Sequence, residues 1–397
     1  MSRTRGLRIL GVLVALVLGM PSHASAQQTR DEERAAAQAA KAGNLHPYQP
    51  TGPERWVERA SQVLLGAPTT FYPYVGSVYP GGWMAIGPAY RARYGDSGVF
   101  AAHAAWSLRN YLGAEAVLTL PTLGAGRVKP SLNANWMRAP TVAFYGIGMD
   151  SVSENKGSFL YRDTTAGASV RYELARHVAI GGGLDYIDAE TEPATIATAF
   201  TPVEVAGLGS EVSYVRSRAF TEVDWRESPG YSTSGGLYRV DWSGSAAQRG
   251  APYSFTRLDA EATQLIPVLR ANWVIALRAL TSVTASRDGE SVPYFLLPAL
   301  GGSRNLRGYS SWRFRDQHRL LVSGEYRWTA GQFVDMALFF DAGKVVALRR
   351  DLDLTDLNTS YGIGVRFHAP AATFLRIELA RTRDDGMGLI FSFGPSF

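Results

Sequence analysis

Residues of the chain's second half alternate between apolar and polar over many short segments. In residues 319–328 the apolar set is Leu320, Val322, Tyr326 and Trp328, and the opposite set is Arg319, Ser323, Glu325 and Arg327. Residues 360–367, 373–381 and 389–397 repeat this period of two. The period predicts β-strands, because successive side chains of a strand point to opposite faces of its sheet.

About sixteen such segments are predicted along the chain. They lie at 83–93, 97–108, 110–121, 129–138, 139–148, 157–173, 177–188, 210–226, 231–243, 253–266, 270–285, 318–328, 332–341, 358–367, 372–381 and 386–397. Membrane strands run about 9 to 11 residues, and bacterial single-chain barrels have an even strand number. Aromatic residues that suit a lipid interface stand near several strand ends: Trp106, Trp225, Trp242, Trp273 and Trp328. The pattern favours an all-β, transmembrane antiparallel β-barrel over a soluble sandwich, which would show the same alternation.

The N-terminus has the three parts of a secretory signal peptide. Arg3, Arg5 and Arg8 precede an apolar run over residues 9–18, and the small residues 24–26 follow. We therefore expect residues 1–26 to be removed on export. A retained membrane anchor is disfavoured, since the apolar run is too short to span a bilayer.

A short periplasmic arm is predicted between the signal peptide and the barrel. Residues 31–42 have the alanine-rich composition of a helix, and residues 54–65 place their apolar side chains on one helical stripe. Prolines punctuate the rest of this region. The predicted organisation is a partly helical arm over residues 27–70, followed by an outer-membrane β-barrel over residues 71–397.

Charge and candidate chemistry exclude several classes of function. Removing the three signal arginines from the 40 basic residues leaves 37 against 35 acidic ones, so the mature chain carries about +2, which is no nucleic-acid pattern. The chain has no cysteine, and its histidines lack metal-ligand spacing, so we expect no metal and no cofactor. Asp96, Ser97 and Gly98 resemble a protease nucleophile but suit a hairpin turn better, and with His103 they form no evident triad. We expect no enzymatic activity.

The segment 288–317 between the eleventh and twelfth predicted strands carries the most specific motif. Its residues Gly301, Gly302, Leu306, Arg307, Gly308 and Tyr309 resemble the signature of the BamA/TamA superfamily, also called the bacterial surface antigen family. The resemblance extends over residues 295–397. In that family the signature loop also lies between strands eleven and twelve of sixteen.

The resemblance implies that this loop folds into the barrel lumen and is pinned there through Arg307. Glu325 and Asp341 fall on the lumen-facing sets of neighbouring predicted strands, and the family assigns such carboxylates to the loop arginine. Glycine at 301, 302 and 308 would let the backbone turn tightly beside the wall. The alternative is that Arg307 is a solvated cation and the carboxylates line a wet lumen.

The closing seam of the barrel is predicted between residues 83–93 and 386–397, which end at Phe397. Each segment carries a proline, Pro88 or Pro395, and proline removes a ladder donor. If the prolines face each other, the seam is short of hydrogen bonds, as a lateral gate requires. If they face the other neighbours, they are merely tolerated near strand ends.

The resemblance implies a non-enzymatic protein of the cell outer membrane that assists insertion or translocation of other proteins. Expected partners are outer-membrane lipid including lipopolysaccharide, and either client membrane proteins or a separate periplasmic partner. Family members usually carry periplasmic POTRA modules, and the arm 27–70 is too short for one. The alternative is a passive or gated pore, plugged by residues 288–317, in which lumen charges such as Arg327, Arg366, Arg376 and Glu378 set selectivity.

Overall fold

The computed structural model describes residues 70–198, 200, 205–268, 270–369 and 372–397. Within them the chain forms eighteen strands and four short 3₁₀ helices. The strands are β1 (Phe71–Gly76), β2 (Ala85–Tyr94), β3 (Gly98–Ser107), β4 (Leu112–Thr119), β5 (Val128–Phe144), β6 (Gly157–Ala175), β7 (Val178–Pro193), β8 (Glu211–Asp224), β9 (Gly235–Ala247), β10 (Phe255–Val268), β11 (Arg270–Ser286), β12 (Ala299–Leu300), β13 (Phe314–Arg315), β14 (His318–Gly331), β15 (Val334–Val346), β16 (Asn358–Ala369), β17 (Ala372–Thr382) and β18 (Met387–Ser392). The 3₁₀ helices are Ser153–Asn155, Thr195–Thr198, Tyr294–Leu296 and Arg349–Asp351. No helix in the described part of the chain has the length and hydrophobicity of a membrane span.

Sixteen of these strands, β1–β11 and β14–β18, form one antiparallel sheet in chain order. The remaining pair, β12 and β13, is a two-residue ladder within the long connection between β11 and β14. Strands β1 and β18 stand at the two ends of the order, with no ladder between them among the described residues. We call this junction the seam.

The two faces of the sheet differ sharply in chemistry, as the alternating sequence predicts. On β15, Leu338 and Phe340 are 49% and 50% exposed, whereas Phe339 and Asp341, which alternate with them along the strand, are 4% and 1% exposed. The same outward apolar set recurs around the sheet, for example at Trp136, Leu184, Trp242, Leu277 and Leu389. An exposed apolar belt of this extent is the surface that a lipid bilayer covers. The fold is therefore an all-β, sixteen-stranded membrane barrel.

The two ends of the barrel differ in the length of their connections. At the end that we call the loop end lie residues 77–84, 145–156, 287–317 and 347–357, together with the described residues 194–198, 200 and 205–210. At the opposite end, the turn end, several strands follow each other after two or three residues, as at 95–97, 176–177 and 332–333. Long external loops and short periplasmic turns are typical of outer-membrane barrels.

An apolar cluster fills the barrel interior near the loop end. Phe144, Phe159 and Tyr294 are fully buried there, and the Tyr294 ring lies 5.3 Å from Phe144 and 4.7 Å from Phe159. Tyr294 belongs to the β11–β14 connection, and Val205, from the β7–β8 connection, joins the same cluster. Long loops therefore turn inward and close this end.

At the turn end, the β8–β9 connection reaches across the barrel mouth. The N–H of Thr373 donates to the carbonyl of Gly230 at 2.8 Å, and the Tyr231 ring stacks on His368 with centroids 4.0 Å apart. Five strands separate β9 from β17 in the sheet, so this contact spans the interior instead of following the wall.

The predicted strand number of sixteen agrees with the structure, although the prediction misses one strand and divides another into two. The missed strand is β1, with its central Pro73, which lies within the predicted barrel but before the first predicted strand at residue 83. The predicted break between residues 138 and 139 does not exist, since β5 runs from Val128 to Phe144. A register shift between Ala139 and Val142 accommodates Pro140 within that strand.

The seam prolines were placed in the wrong strands for the same reason. Pro88 lies in β2, directly opposite Pro73 of β1, and Pro395 follows the end of β18 at Ser392. Neither proline stands on the outermost strand edge. Two facing prolines instead weaken the pairing of β1 with β2, because neither can donate a ladder hydrogen bond. The predicted signal peptide, residues 1–26, and all but the last residue of the predicted arm, residues 27–70, lie outside the described residues.

Candidate functional site

The signature segment is a compact turn built on glycine. Gly301 and Gly302 have φ of 105° and 113°, in the left-handed region that favours glycine. Their N–H groups donate to the carbonyls of Asn305 and Tyr309, both at 3.0 Å. A Cβ at Gly301 would lie 2.2 Å from the Ser310 carbonyl oxygen, so no other residue fits this turn.

The turn lies directly against the barrel wall at Gly308. A Cβ added there would lie 2.8 Å from Thr382 Cγ2 and 2.9 Å from Ala380 Cβ, both on β17. Leu306 and Tyr309 flank this contact and are buried in a second apolar cluster with Phe314. The loop therefore lies inside the barrel, as the resemblance implied.

Arg307 projects from this turn and is 2% exposed. Its Nε and Nη2 donate to the two oxygens of Asp341 at 2.7 and 2.8 Å, and its backbone N–H donates to Asp341 Oδ2 at 3.0 Å. Its Nη1 donates to Glu325 Oε1 at 2.5 Å and to Glu378 Oε1 at 3.2 Å. The structure thus brings together Arg307 and both carboxylates that the sequence singled out.

Two further groups around Arg307 were not assigned to it from the sequence. Glu378 was expected only as a lumen charge, although its inward position on the 373–381 segment was readable. Phe339 lies with its ring centroid 3.8 Å from the guanidinium carbon, which is a cation–π contact. The sequence could have indicated this contact, because Phe339 stands two residues before Asp341 on β15 and therefore faces the same side of the sheet.

Three more arginines extend the network. Arg327 and Arg366 each place a guanidinium nitrogen 2.7 Å from Glu325 Oε2, and Arg376 Nη1 donates to Glu378 Oε2 at 2.8 Å. The network therefore joins four guanidinium groups to the carboxylates of Glu325, Asp341 and Glu378. Charges buried in this way are stable only when each is paired and hydrogen-bonded.

Electrostatics keep Arg307 charged in this dry position. Burial would lower the pKa of Arg307, but the facing carboxylates outweigh burial and raise that pKa above its usual value. An arginine that never loses its proton cannot act as a general acid or base at neutral pH. The geometry suits a lock that fixes a loop to a wall.

Comparison with known proteins identifies the family. The sequence model of the Omp85 superfamily domain matches residues 131–397. The chain belongs to the Omp85 superfamily. No match is found among curated protein sequences.

Solved Omp85-type barrels share the fold. The structure of BamA from Haemophilus ducreyi lacking POTRA domains 1–3 matches with a TM-score of 0.63 and 14% sequence identity, over 82% of this chain and 68% of that chain. The structure of CdiB from Escherichia coli matches with a TM-score of 0.56 and 10% identity, over 81% of this chain and 61% of that chain. Membership of the Omp85 superfamily makes the protein an outer-membrane β-barrel, and these matches share its fold.

The last residues of this Omp85 barrel join the loop network instead of extending β18. Ser396 Oγ donates to Glu325 Oε2 at 3.1 Å, and Arg376 Nε donates to the Gly394 carbonyl at 3.0 Å. The Phe397 ring packs against an apolar cluster of β10 and β11, with the Arg327 guanidinium 5.0 Å from its centroid. Phe397, expected at the seam, therefore lies inside the barrel.

The charged side chains that were expected to line a pore are bound in ion pairs of the same network. The side chains of Arg366, Arg376 and Glu378 are 5%, 0% and 0% exposed. Buried and paired groups of this kind do not face a water-filled path. In this structure, Arg366, Arg376 and Glu378 are therefore not positioned to select among ions that pass through the Omp85 barrel.

Proposed function

We propose that this Omp85 barrel assists the insertion or translocation of other proteins at the outer membrane, without enzymatic chemistry. One observation carries the proposal. The terminal strands β1 and β18 are six residues each and share no ladder in the described part of the chain, so both present unpaired backbone groups. An unpaired strand edge is a template for another strand.

The loop network supports the proposal by making the rest of the wall rigid. Arg307 is bound by three carboxylates from β14, β15 and β17, so it ties the loop to the strands that precede β18. Removing the arginine would leave Asp341 buried without an ion-pair partner, while Glu325 and Glu378 would keep their other arginines. Because strands β14, β15 and β17 are held together and no ladder is described between β1 and β18, the sheet would open most easily at the seam.

The proposed partners are outer-membrane lipid, client membrane proteins and a periplasmic partner, and the surface and topology of the barrel support them. The apolar belt contacts outer-membrane lipid, and the loop end, with its long connections, lies on the outside of the cell where lipopolysaccharide is found. Clients are membrane proteins that supply an extended strand to the seam. A periplasmic partner would deliver them at the turn end.

A pore is the second candidate, and one observation favours it. Ion pairs along β6, β8 and β9 remain partly solvated, such as Arg171 with Glu222 and Arg239 with Glu222, both at 2.7 Å, with the two arginines 33% and 31% exposed. Water therefore reaches part of the interior. The apolar cluster at the loop end opposes a continuous path.

Reconstitution into vesicles of outer-membrane lipid tests the two candidates together. An unfolded client barrel is added, and its protease-protected fraction is followed against vesicles that hold an unrelated barrel at the same protein-to-lipid ratio. Faster insertion with a small single-channel conductance supports the proposed function. Large steady conductance with no acceleration of insertion overturns it and favours the pore.

A further inference from the structure

The segment that follows the Arg307 turn touches both hairpins that flank the seam. On one side, the β1–β2 connection at residues 77–84 leads away from β1, and on the other, the β17–β18 connection at residues 383–386 leads into β18. Because no ladder joins β1 to β18 among the described residues, contacts at these connections decide how firmly the seam is held at the loop end.

Trp312 holds the first hairpin. Its indole Nε1 donates to the Pro80 carbonyl at 3.1 Å, and its ring stacks on Tyr79 with centroids 5.2 Å apart and an interplanar angle of 23°. Trp312 has a φ of 66°, which is uncommon for a residue other than glycine and persists only where surrounding contacts enforce it.

Arg313, the next residue, holds the second hairpin. Its Nε donates to Asp385 Oδ2 at 3.3 Å, and the two side chains are 4% and 14% exposed. The hairpin around Asp385 is tight, because Thr382 N–H donates to the Gly386 carbonyl at 2.8 Å and Asp385 N–H donates to Thr382 Oγ1 at 3.0 Å. Holding Asp385 therefore holds the start of β18.

Both residues stand on a rigid support. Arg315 is fully buried, its Nη1 donates to the Tyr294 carbonyl at 3.1 Å, and its guanidinium lies 4.5 Å from the Trp312 ring centroid. Strand β13, which contains Arg315, pairs with β12. Arg313 is fixed as well, since its Nη1 donates to Ser151 Oγ at 2.9 Å.

We propose that Trp312 and Arg313 form a clasp that joins the two hairpins at the loop end of the seam. Loss of the contacts of Trp312 and Arg313 with these hairpins would then allow the seam to open, so that the loop regulates opening. The proposal rests on the proposed function only in taking the seam as the working edge. It makes the loop a bridge between the two terminal hairpins, in addition to its attachment to β14, β15 and β17.

Hydrogen exchange on the purified barrel in lipid vesicles tests the clasp. The variants are Trp312→Phe, which keeps the ring but removes the N–H, Asp385→Asn, which removes the charge, and their combination. The combined variant is expected to exchange the amides of β1 and β18 about tenfold faster, with β6 and β7 unchanged. Controls are Trp83→Phe, a 64% exposed tryptophan of the same β1–β2 connection, and Glu190→Gln, which breaks an ion pair on the outer wall.

The outcomes separate the clasp from the proposed function. Seam exchange that is unchanged in the combined variant, or raised equally by the controls, overturns the clasp whatever happens to client insertion. Faster seam exchange together with faster insertion supports both. Faster seam exchange with unchanged insertion supports the clasp and counts against the proposed function. Heat-modified mobility on a gel identifies folded protein, and Trp312→Phe alone serves if the combination does not fold.

Discussion

Two walls of this barrel carry the same types of ion pair, glutamate with arginine, but differ in how deeply these pairs are buried. On the wall β14–β18, the carboxylates of Glu325 and Glu378 are fully buried and shared among several arginines. On the wall β6–β9, Glu222 bridges Arg171 and Arg239, and both arginines keep about a third of their surface in water. Composition and pairing distances are alike, so the difference in burial decides what each pair contributes.

The loop creates this difference. Where residues 301–313 lie against the wall, water is excluded and each charge depends on its neighbours. Where the wall is uncovered, solvent can replace a lost partner. We call β14–β18 the dry wall and β6–β9 the wet wall. Single substitutions of charged residues are expected to destabilise the barrel strongly on the dry wall and weakly on the wet wall.

The strongest test of this contrast is Arg307→Ala. It leaves Asp341 buried without its ion-pair partner and removes one of three arginines from Glu325, and we expect a loss of about 3 to 5 kcal/mol in the free energy of unfolding. The measurement is the denaturant midpoint together with heat-modified mobility on a gel. Arg307→Lys should recover only part of the loss, because lysine cannot bind Asp341 through two nitrogens. Wild-type stability in the alanine variant would show that the loop is held by other contacts.

A pair of isosteric changes compares the walls directly. Glu378→Gln removes a charge that Arg307 and Arg376 share, with an expected cost of about 3 kcal/mol. Glu222→Gln removes the corresponding charge on the wet wall, with an expected cost below about 1 kcal/mol that shrinks further at high salt. Unfolding midpoints at low and high salt check both. Equal costs would contradict the view that burial separates the walls.

Gly308→Ala tests the closeness of loop and wall. The new methyl group meets Thr382 and Ala380 and forces a φ of 93° on a residue with a Cβ, so we expect a loss of about 1 to 2 kcal/mol. Gly289→Ala is the matched control, since it has a φ of 82° and no atom within 4 Å of the added Cβ. The loss of stability in Gly308→Ala beyond that in Gly289→Ala measures the contact of the loop with the wall. Equal losses in the two variants would show that the loop lies farther from β17.

The smallest expected effect lies on the loop end, at Asp353. Hydrogen bonds from Lys344 at 2.6 Å and from Thr355 hold the pKa of this carboxyl below its ordinary value of 3.8. A lowered pKa means that the stabilising contact is present above pH 3.8 and is lost as pH falls below it. The protection of the Thr355 amide, whose N–H donates to Asp353 Oδ1 at 2.9 Å, should therefore fall in acid when its exchange rate is compared with the intrinsic rate at the same pH. Asp353→Asn should remove most of this pH dependence, and an unaltered profile in that variant would assign it to another group.

Periodicity accounts for most of what could be predicted. Leu338, Phe340, Glu325 and Asp341 face the sides that a period of two assigns to them, because a strand leaves no other choice. Prolines caused the two errors. Pro73 lies at the centre of β1, which no predicted segment covers, and Pro140 lies beside the predicted break between residues 138 and 139, where the structure has a bulge instead.

The candidate site was predictable where a motif named its residues and unpredictable where contacts depend on the barrel's curvature. Arg307 with Glu325 and Asp341 followed from the resemblance. Trp312, Arg313 and Asp385 carried no such signal, because their proximity depends on which connections fold inward at the loop end. The inward course of Ser396 and Phe397 was also invisible, since alternation predicted that β18 continues to the end of residues 386–397.

The bridge from Gly230 to Thr373 at the turn end has a mechanical consequence. One backbone hydrogen bond and the stacked rings of Tyr231 and His368 cross the mouth, with the dry network behind them. Under the proposed function, a polypeptide approaching from the periplasm would meet this crossbar on the β16–β17 side and partly hydrated ion pairs on the β6–β9 side. The two sides of the mouth therefore differ, and an entering chain would contact the hydrated wall more readily than the bridged one.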